Sequence, residues 1–304
     1  MKLNFTITLL AAVLAGAAAF WMISAPRPAF SEADAAALDR PGNAEHGRLV
    51  FAAGNCASCH ASPGQTDRLR LGGGLALASP FGTLRVPNIS PDRRDGIGAW
   101  HTIDLANALL SGVSPAREHY YPALPYPSYV HMTVEDVRDL MAYLQTLQPV
   151  SGRAPPHELP AVFRIRRLLG VWKFLFLDHT PFSSNSPHDD AWQRGRYLVE
   201  GLGHCAECHS SRNLLGGIKP NTRLAGGPDP EGTGFIPNIT PAQIGDWSED
   251  DIVELLTSGH TRAGNRVGST MTDVVTNTAM LPPSDRRAIA VYLKALPPRP
   301  TPHP

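Results

Sequence analysis

No sign of charge dominates this sequence. Lysine plus arginine and aspartate plus glutamate both number 27. The net field therefore neither draws the chain to nucleic acid nor holds it on an anionic membrane, and any partner is found by shape or local patches. Long apolar runs are limited to one, from Leu3 to Pro26. With no second segment of matching character to pack on, it is not a buried core helix. No Ser/His/Asp set, phosphate-cradling loop or zinc-protease word stands out, so hydrolytic and nucleotide chemistry find no carrier. Cysteine is scarce as well, with four residues in 304, and the placement of those four is the most informative feature of the chain.

The apolar run exceeds the roughly 7–15-residue core of a secretory signal and approaches the ~20 residues that span a bilayer. Two readings of residues 1–30 stand: an uncleaved membrane anchor, or a signal removed near the small residues at Ala25 or Ala35 to Ala37. Both export the rest of the chain. With Lys2 kept inside, the body lies on the outer side of the membrane. That body has room for about two domains.

All four cysteines fall in two short words, CASCH (Cys56, Cys59, His60) and CAECH (Cys205, Cys208, His209). Exported cysteines ordinarily suggest disulfides, and paired C-x-x-C words can build a zinc site. The histidine directly after each second cysteine argues against both. Two thiols one turn apart reach the two vinyl groups on one porphyrin edge, and the next imidazole then lies beneath the iron as its proximal ligand. The words predict two covalently bound haem c groups, with Cys56, Cys59, Cys205 and Cys208 as attachment points and His60 and His209 on the irons.

The surroundings repeat too. HGRLVFAAGN and RGRYLVEGLGH precede the words, with Gly47 and Gly195 in helix-like context. VPNIS and IPNIT come after them, Asn88 28 residues after His60 and Asn238 29 after His209. Pro87-Asn88-Ile89 and Pro237-Asn238-Ile239 are expected to line the pockets. Trp100 and Trp247 come next, as propionate donors or as packing. Each unit closes with an amphipathic helix: Thr133 as N-cap with Val137, Leu140, Tyr143, Leu144 and Leu147 on one face, and a helix from Ser284 presenting Ile289, Tyr292, Leu293 and Leu296. This order resembles class I cytochrome c. It implies an all-α fold of two such domains in tandem, residues 40–150 and 191–300, each of about 100 residues and completed by its haem. The glycine- and proline-rich stretches after each word need not form sheet.

An electron-carrying c haem usually takes a methionine sulfur opposite its histidine. Met271 lies 12 residues after Gly259 and is the expected distal ligand of the second haem, with Met280 as the alternative. The same spacing from Gly112 reaches Leu124, which cannot ligate iron. Met132, His119 and His131 are the nearby replacements, and the absence of any protein ligand is the fourth possibility. Met132 is the weak preference, although its place before the N-cap Thr133 also suits a hydrophobic staple.

Residues 151–190 form a linker with proline- and serine-rich ends. Its middle, LPAVFRIRRLLGVWKFLFLDH, is apolar with Arg164, Arg166, Arg167 and Lys173 interspersed. The main expectation is a strap binding the two units together with its apolar face buried; a membrane-surface or partner-docking segment is the other. Arg212 is a candidate propionate partner.

HYYPALPYPSYVHMTVEDV and RGRYLVEGLGHCAECHSSRNLLGG resemble the cytochrome c subunits of membrane-bound bacterial dehydrogenases that oxidise alcohols, aldehydes or gluconate, over nearly the whole chain. The resemblance implies a periplasmic respiratory-chain subunit without substrate chemistry of its own. It would take electrons from a catalytic dehydrogenase subunit and pass them to a soluble cytochrome, an oxidase or quinone. Two departures stand. Many members carry three C-x-x-C-H words where this chain has two, and they often read PAMPY where this chain reads PALPY. A dihaem enzyme of peroxidase or thiosulfate-oxidising type, with an open first haem, is the alternative.

Overall fold

The structure, a computed structural model, describes residues 2–182, 188–230 and 234–302. Helix α1 (Lys2–Ile23) is exposed along its length and meets the body at its C-terminal end. Its Phe5–Ile23 stretch has a mean hydropathy of 2.1 and no burial, and at 1.5 Å per residue it spans about 28 Å, close to the hydrocarbon thickness of a bilayer. Among the described residues, α1 alone is long and apolar enough to cross a membrane. A short turn, α2 (Ala35–Leu38), leads into the body.

The first unit is framed by α3 (Ala44–Ala53) and the closing helix α7 (Val134–Leu144), with α4 (Cys56–His60), α5 (Thr102–Ser111) and α6 (Tyr126–Tyr129) between them. Asn43 caps α3, its side chain accepting from the Glu45 and His46 amides. Thr133 caps α7, accepting from the Asp136 amide at 3.1 Å, so the N-cap read from sequence holds. The second unit repeats the plan. Helix α9 (Asp190–Arg196) faces α13 (Pro283–Ala295), and α10 (Pro241–Ile244), α11 (Glu249–Ser258) and α12 (Met271–Thr278) lie between. The closing helix starts one residue earlier than Ser284, at Pro283, where a missing N–H costs nothing.

In both units the two framing helices meet at a glycine. A Cβ on Gly47 would lie 1.9 Å from the Asp139 carbonyl, and one on Gly195 would lie 2.0 Å from that of Ala288. Only glycine lets these backbones touch. The units differ in how the chain runs on from there. Cys56 follows Gly47 by nine residues and Cys205 follows Gly195 by ten. The extra residue is absorbed where α9 widens into a π-helical stretch, Tyr197–Leu202. The residue before each haem word then returns to register in the left-handed conformation, Asn55 at φ 53° and His204 at φ 40°.

The closing helices bury the faces expected of them. Val137, Leu140, Tyr143 and Leu144 are buried on α7, and Ile289, Tyr292 and Leu293 on α13, while Leu147 and Leu296 pack half-buried at the helix ends. The fold is not wholly helical. The glycine-rich stretches form small antiparallel ladders, β1 (Ala76–Ser79) with β2 (Gly82–Arg85), and β3 (Gly227–Pro228) with β4 (Phe235–Ile236). Their backbones turn back on themselves and satisfy their own amides instead of remaining open loops.

Between the units runs α8 (Leu168–Phe176), which ties three parts together. Lys173 Nζ donates to the Ser111 and Gly112 carbonyls, both at 2.7 Å, and caps the negative end of α5. Trp172 Nε1 donates to the Leu215 carbonyl of the second unit at 2.8 Å. Gly170 packs on Ser24 just beyond α1, and the Arg167 guanidinium covers the Trp21 ring at 3.8 Å. The strap expectation is met in the bonds to both units, but the apolar face expected to be buried is not: Gly170 alone of α8 is buried, and Leu168 is among the exposed side chains. Phe174 and Leu175 remain exposed on its outer side; part of the linker's second half, residues 183–187, lies outside the described residues.

Adding a methyl group at either helix crossing should cost about 3 kcal/mol, because neither carbonyl can retreat without separating the pair. Denaturant unfolding of the haem-loaded protein should show this loss for Gly47→Ala and Gly195→Ala. Gly268→Ala, where nothing lies within 4 Å, should change stability by less than about 0.5 kcal/mol.

Candidate haem sites

Each haem word begins after its left-handed residue and presents its histidine to the loop beyond it. His60 Nδ1 lies 2.9 Å from the Pro87 carbonyl and His209 Nδ1 lies 2.7 Å from that of Pro237. A carbonyl can only accept, so Nδ1 carries the proton in both rings and Nε2 keeps its lone pair for a metal. Burial holds both rings neutral, pushing the His60 pKa down to about 4 and that of His209 below the usual range. Burial likewise pushes the Cys56 and Cys205 thiols up to about 12. None of the four cysteines is in a disulfide. Two thiols and one neutral imidazole with Nε2 available, presented twice, are the donor set that a covalently attached haem requires.

The loops that aim these histidines are clamped from behind. Asn88 Nδ2 donates to the carbonyls of Val150 (2.6 Å) and Gly152 (2.9 Å), and its Oδ1 accepts from the Ser90 amide. Asn238 Nδ2 donates to the Arg299 carbonyl (2.8 Å) and to Thr301 Oγ1 (3.1 Å), and its Oδ1 accepts from the Thr240 amide. The two Pro-Asn-Ile words thus act through different atoms. The proline carbonyl orients the imidazole, and the asparagine fastens the loop to the end of its own unit. Further bonds repeat alongside, Gly73 amide to His60 carbonyl and Gly226 amide to His209 carbonyl.

The loops leading to positions 124 and 271 share one hydrogen-bond pattern from Gly112 to Tyr120 and from Gly259 to Val267. Gly112 and Gly259 end α5 and α11 in the left-handed conformation. After each, the residue one on pairs with the residue seven on: Val113 with His119, His260 with Arg266. The Tyr120 amide then donates to the Gly112 carbonyl at 2.8 Å, and the Val267 amide to that of Gly259 at 2.9 Å. Leu124 and Met271 come next at the same distance along the chain, and both pack half-buried on the apolar core.

The other sequence-derived ligand candidates lie elsewhere. Met132 is buried at the position before the Thr133 cap, where the second unit has buried Leu281 before Pro282. His119 is buried on the outer limb of its loop. Its Nε2 donates to the Ser24 carbonyl at 3.0 Å, and its Nδ1 has no partner among the described residues. Burial and the nearby Lys173, Arg167 and Arg166 lower its pKa. His131 stacks on Phe182 at 4.1 Å, and Met280 is exposed. Arg212 is committed locally, to the Glu207 carboxylate (2.5 Å) and to the Glu207 and Gly216 carbonyls. Trp100 and Trp247 pack on the core.

Sequence reasoning missed two arrangements. Glu200, buried in the π-helical stretch, pairs with Arg223 and accepts from the Tyr292 hydroxyl at 3.0 Å. The second is the junction between the units, where the residues just before the two haem words meet. His204 Nε2 and the Tyr129 hydroxyl both donate to the Gly54 carbonyl, at 3.3 and 2.9 Å. Asn277 on α12 donates to Asn55 and to Ser58 Oγ, and Arg68 pairs with Asp273. Each of these pairs is far apart in sequence, and no local pattern announces them.

Comparison with known proteins agrees with this geometry. The cytochrome c family model matches residues 44–148. A diheme cytochrome c-type protein of Cereibacter sphaeroides is 48% identical over 98% of this chain and 99% of its own length. The fructose dehydrogenase cytochrome subunit of Gluconobacter japonicus is 36% identical over 88% of the chain, and the gluconate 2-dehydrogenase cytochrome c subunit of Pantoea cypripedii 34% identical over 83%. The chain spans 55% and 59% of those two subunits. With two haem words, two oriented imidazoles and relatives of this kind, the chain belongs to the dihaem c-type cytochromes and carries two covalently bound haems.

Proposed function

We propose that this cytochrome is an electron relay of two class I domains in tandem, residues 40–150 and 191–300. It takes electrons from a catalytic dehydrogenase subunit and passes them to a soluble cytochrome, an oxidase or quinone. Helix α1, kept as an anchor or removed as a signal, places the body in the periplasm. The observation that carries this reading is the pair of haem words, each with its own oriented imidazole, whose preceding residues Gly54 and His204 are hydrogen-bonded across the units.

When bound, haem supplies one-electron iron chemistry, and the protein sets its potential through axial ligands, burial and hydrogen bonding. His60 and His209 would hold the irons through Nε2, and Cys56, Cys59, Cys205 and Cys208 would carry the covalent bonds to the haems. The carbonyls of Pro87 and Pro237 hold each imidazole in one tautomer and raise its basicity. Met271 supplies the thioether that favours Fe(II) at the second site and raises its potential. The buried Arg223–Glu200–Tyr292 group beside Cys205 fixes the chain leading into the second word and leaves no net charge there. The partner's substrate class is inferred from the relatives, whose names include sugar, sugar-acid and alcohol dehydrogenases.

Two outcomes are expected. Met271→Ala should remove the sulfur-to-iron charge-transfer band and lower one of the two midpoint potentials by on the order of 100 mV, as read by potentiometric titration; two unchanged midpoints would remove Met271 from the iron. The purified dihaem chain should accept and return one electron per haem with redox mediators while turning over neither peroxide nor thiosulfate. Steady-state turnover of either would make it an enzyme.

A further inference from the structure

The two distal loops share one backbone plan as far as Tyr120 and Val267, yet only one of them reaches a residue with a lone pair to offer iron. Residues 112–124 and 259–271 begin at a left-handed glycine, make the same bridge seven residues on and close with the same amide-to-glycine hydrogen bond. The thirteenth residue is Met271 in one loop and Leu124 in the other. The hydrogen bonds that fold the two loops are the same as far as Tyr120 and Val267; beyond them the Leu124 amide donates to the Tyr121 carbonyl whereas Met271 opens α12, and the equal spacing from the glycine puts Leu124 at the chain position of the thioether. Its side chain brings hydrocarbon, with no lone pair to offer a metal.

The three side chains that could replace the sulfur are engaged otherwise. Met132 stands where the second unit has Leu281, and both are buried before a closing helix. At that position Met132 packs in the same apolar cluster as Val137, one helical turn on, as a staple does. His119 stands where the second unit has Arg266, an exposed residue. In the first unit this outer limb is covered by Ser24 and by the Arg166 and Lys173 strap, and the imidazole bonds to the Ser24 carbonyl, away from the body. His131 is stacked on Phe182.

Building on the two-haem reading, we propose that the first haem has no protein ligand on its distal side and is a binding site for a small, uncharged, π-accepting diatomic molecule of the carbon monoxide or nitric oxide class. Leu124 provides neither a positive charge nor a hydrogen-bond donor, so a neutral ligand that needs only ferrous iron is favoured over an anion. The second haem, closed by Met271, does not bind it. One chain therefore combines a closed, electron-carrying haem with an open one.

Carbon monoxide titration of the dithionite-reduced holoprotein tests this. Pyridine haemochrome analysis first counts the haems; fewer than two per chain would refute the two-haem reading itself, separately from this proposal. With two haems present, the expected stoichiometry is one carbon monoxide per chain. Leu124→Met should reduce it to none and convert a high-spin signal in the oxidised protein's EPR spectrum to low-spin. Met271→Leu should raise it to two. Met132→Ala and His119→Ala should leave the wild-type value of one. A wild-type protein that holds two haems and binds no carbon monoxide would overturn the proposal. So would a wild type that binds none while Met132→Ala or His119→Ala binds one, since that residue would then be the ligand.

Discussion

Two hydrogen bonds set the terms for the rest of this molecule: those from His60 and His209 to the carbonyls of Pro87 and Pro237. Each is worth only about 1 kcal/mol to stability, too little to hold a fold together. Their importance is directional. By accepting from the Nδ1 proton the carbonyls leave Nε2 as the sole lone pair of a ring that burial keeps neutral, and so leave one atom of each ring available to a metal. The surrounding structure then reads as support for those carbonyls. Asn88 and Asn238 fasten the proline loops to the ends of their units, and the glycine contacts at Gly47 and Gly195 fix the helix pairs behind them.

The same plan occurs twice, and the differences between copies carry the individuality of this protein. One extra residue before the second word is taken up by a π-helical stretch, whose Glu200 is a buried anchor for Arg223 and Tyr292. The same stretch places Tyr197, whose hydroxyl accepts from the Thr133 amide and donates to Asp136 of the first unit. The irregularity thus helps join the two halves. The strap, with Lys173 on the end of α5 and Trp172 on the second unit, joins them again from the side on which α1 leaves.

The features legible in the sequence were local or covalent. A C-x-x-C-H word needs only five residues, an amphipathic closing helix needs about a dozen, and the distal spacing is set by one loop whose glycine marks its start. The haem words, the helix cap at Thr133 and the left-handed glycines from which positions 124 and 271 are counted were therefore readable in advance. The direction of His119 was not, because it depends on Ser24 and α8, residues from two distant parts of the chain. Nor was the commitment of Arg212 to Glu207, since five residues of separation say nothing about the turn that brings them together. The small ladders β1–β2 and β3–β4 were hidden for a related reason: glycine and proline mark turns well but leave strand pairing to context.

Iron porphyrin bound through both cysteine words underlies every property assigned to this chain. Intact-mass measurement of the fully denatured chain, produced in a host competent for cytochrome c maturation, tests this most directly. The predicted mass is that of the polypeptide plus two haems, falling to one haem when Cys56 and Cys59 are both replaced by alanine. A wild-type chain weighing no more than its amino acids would contradict it.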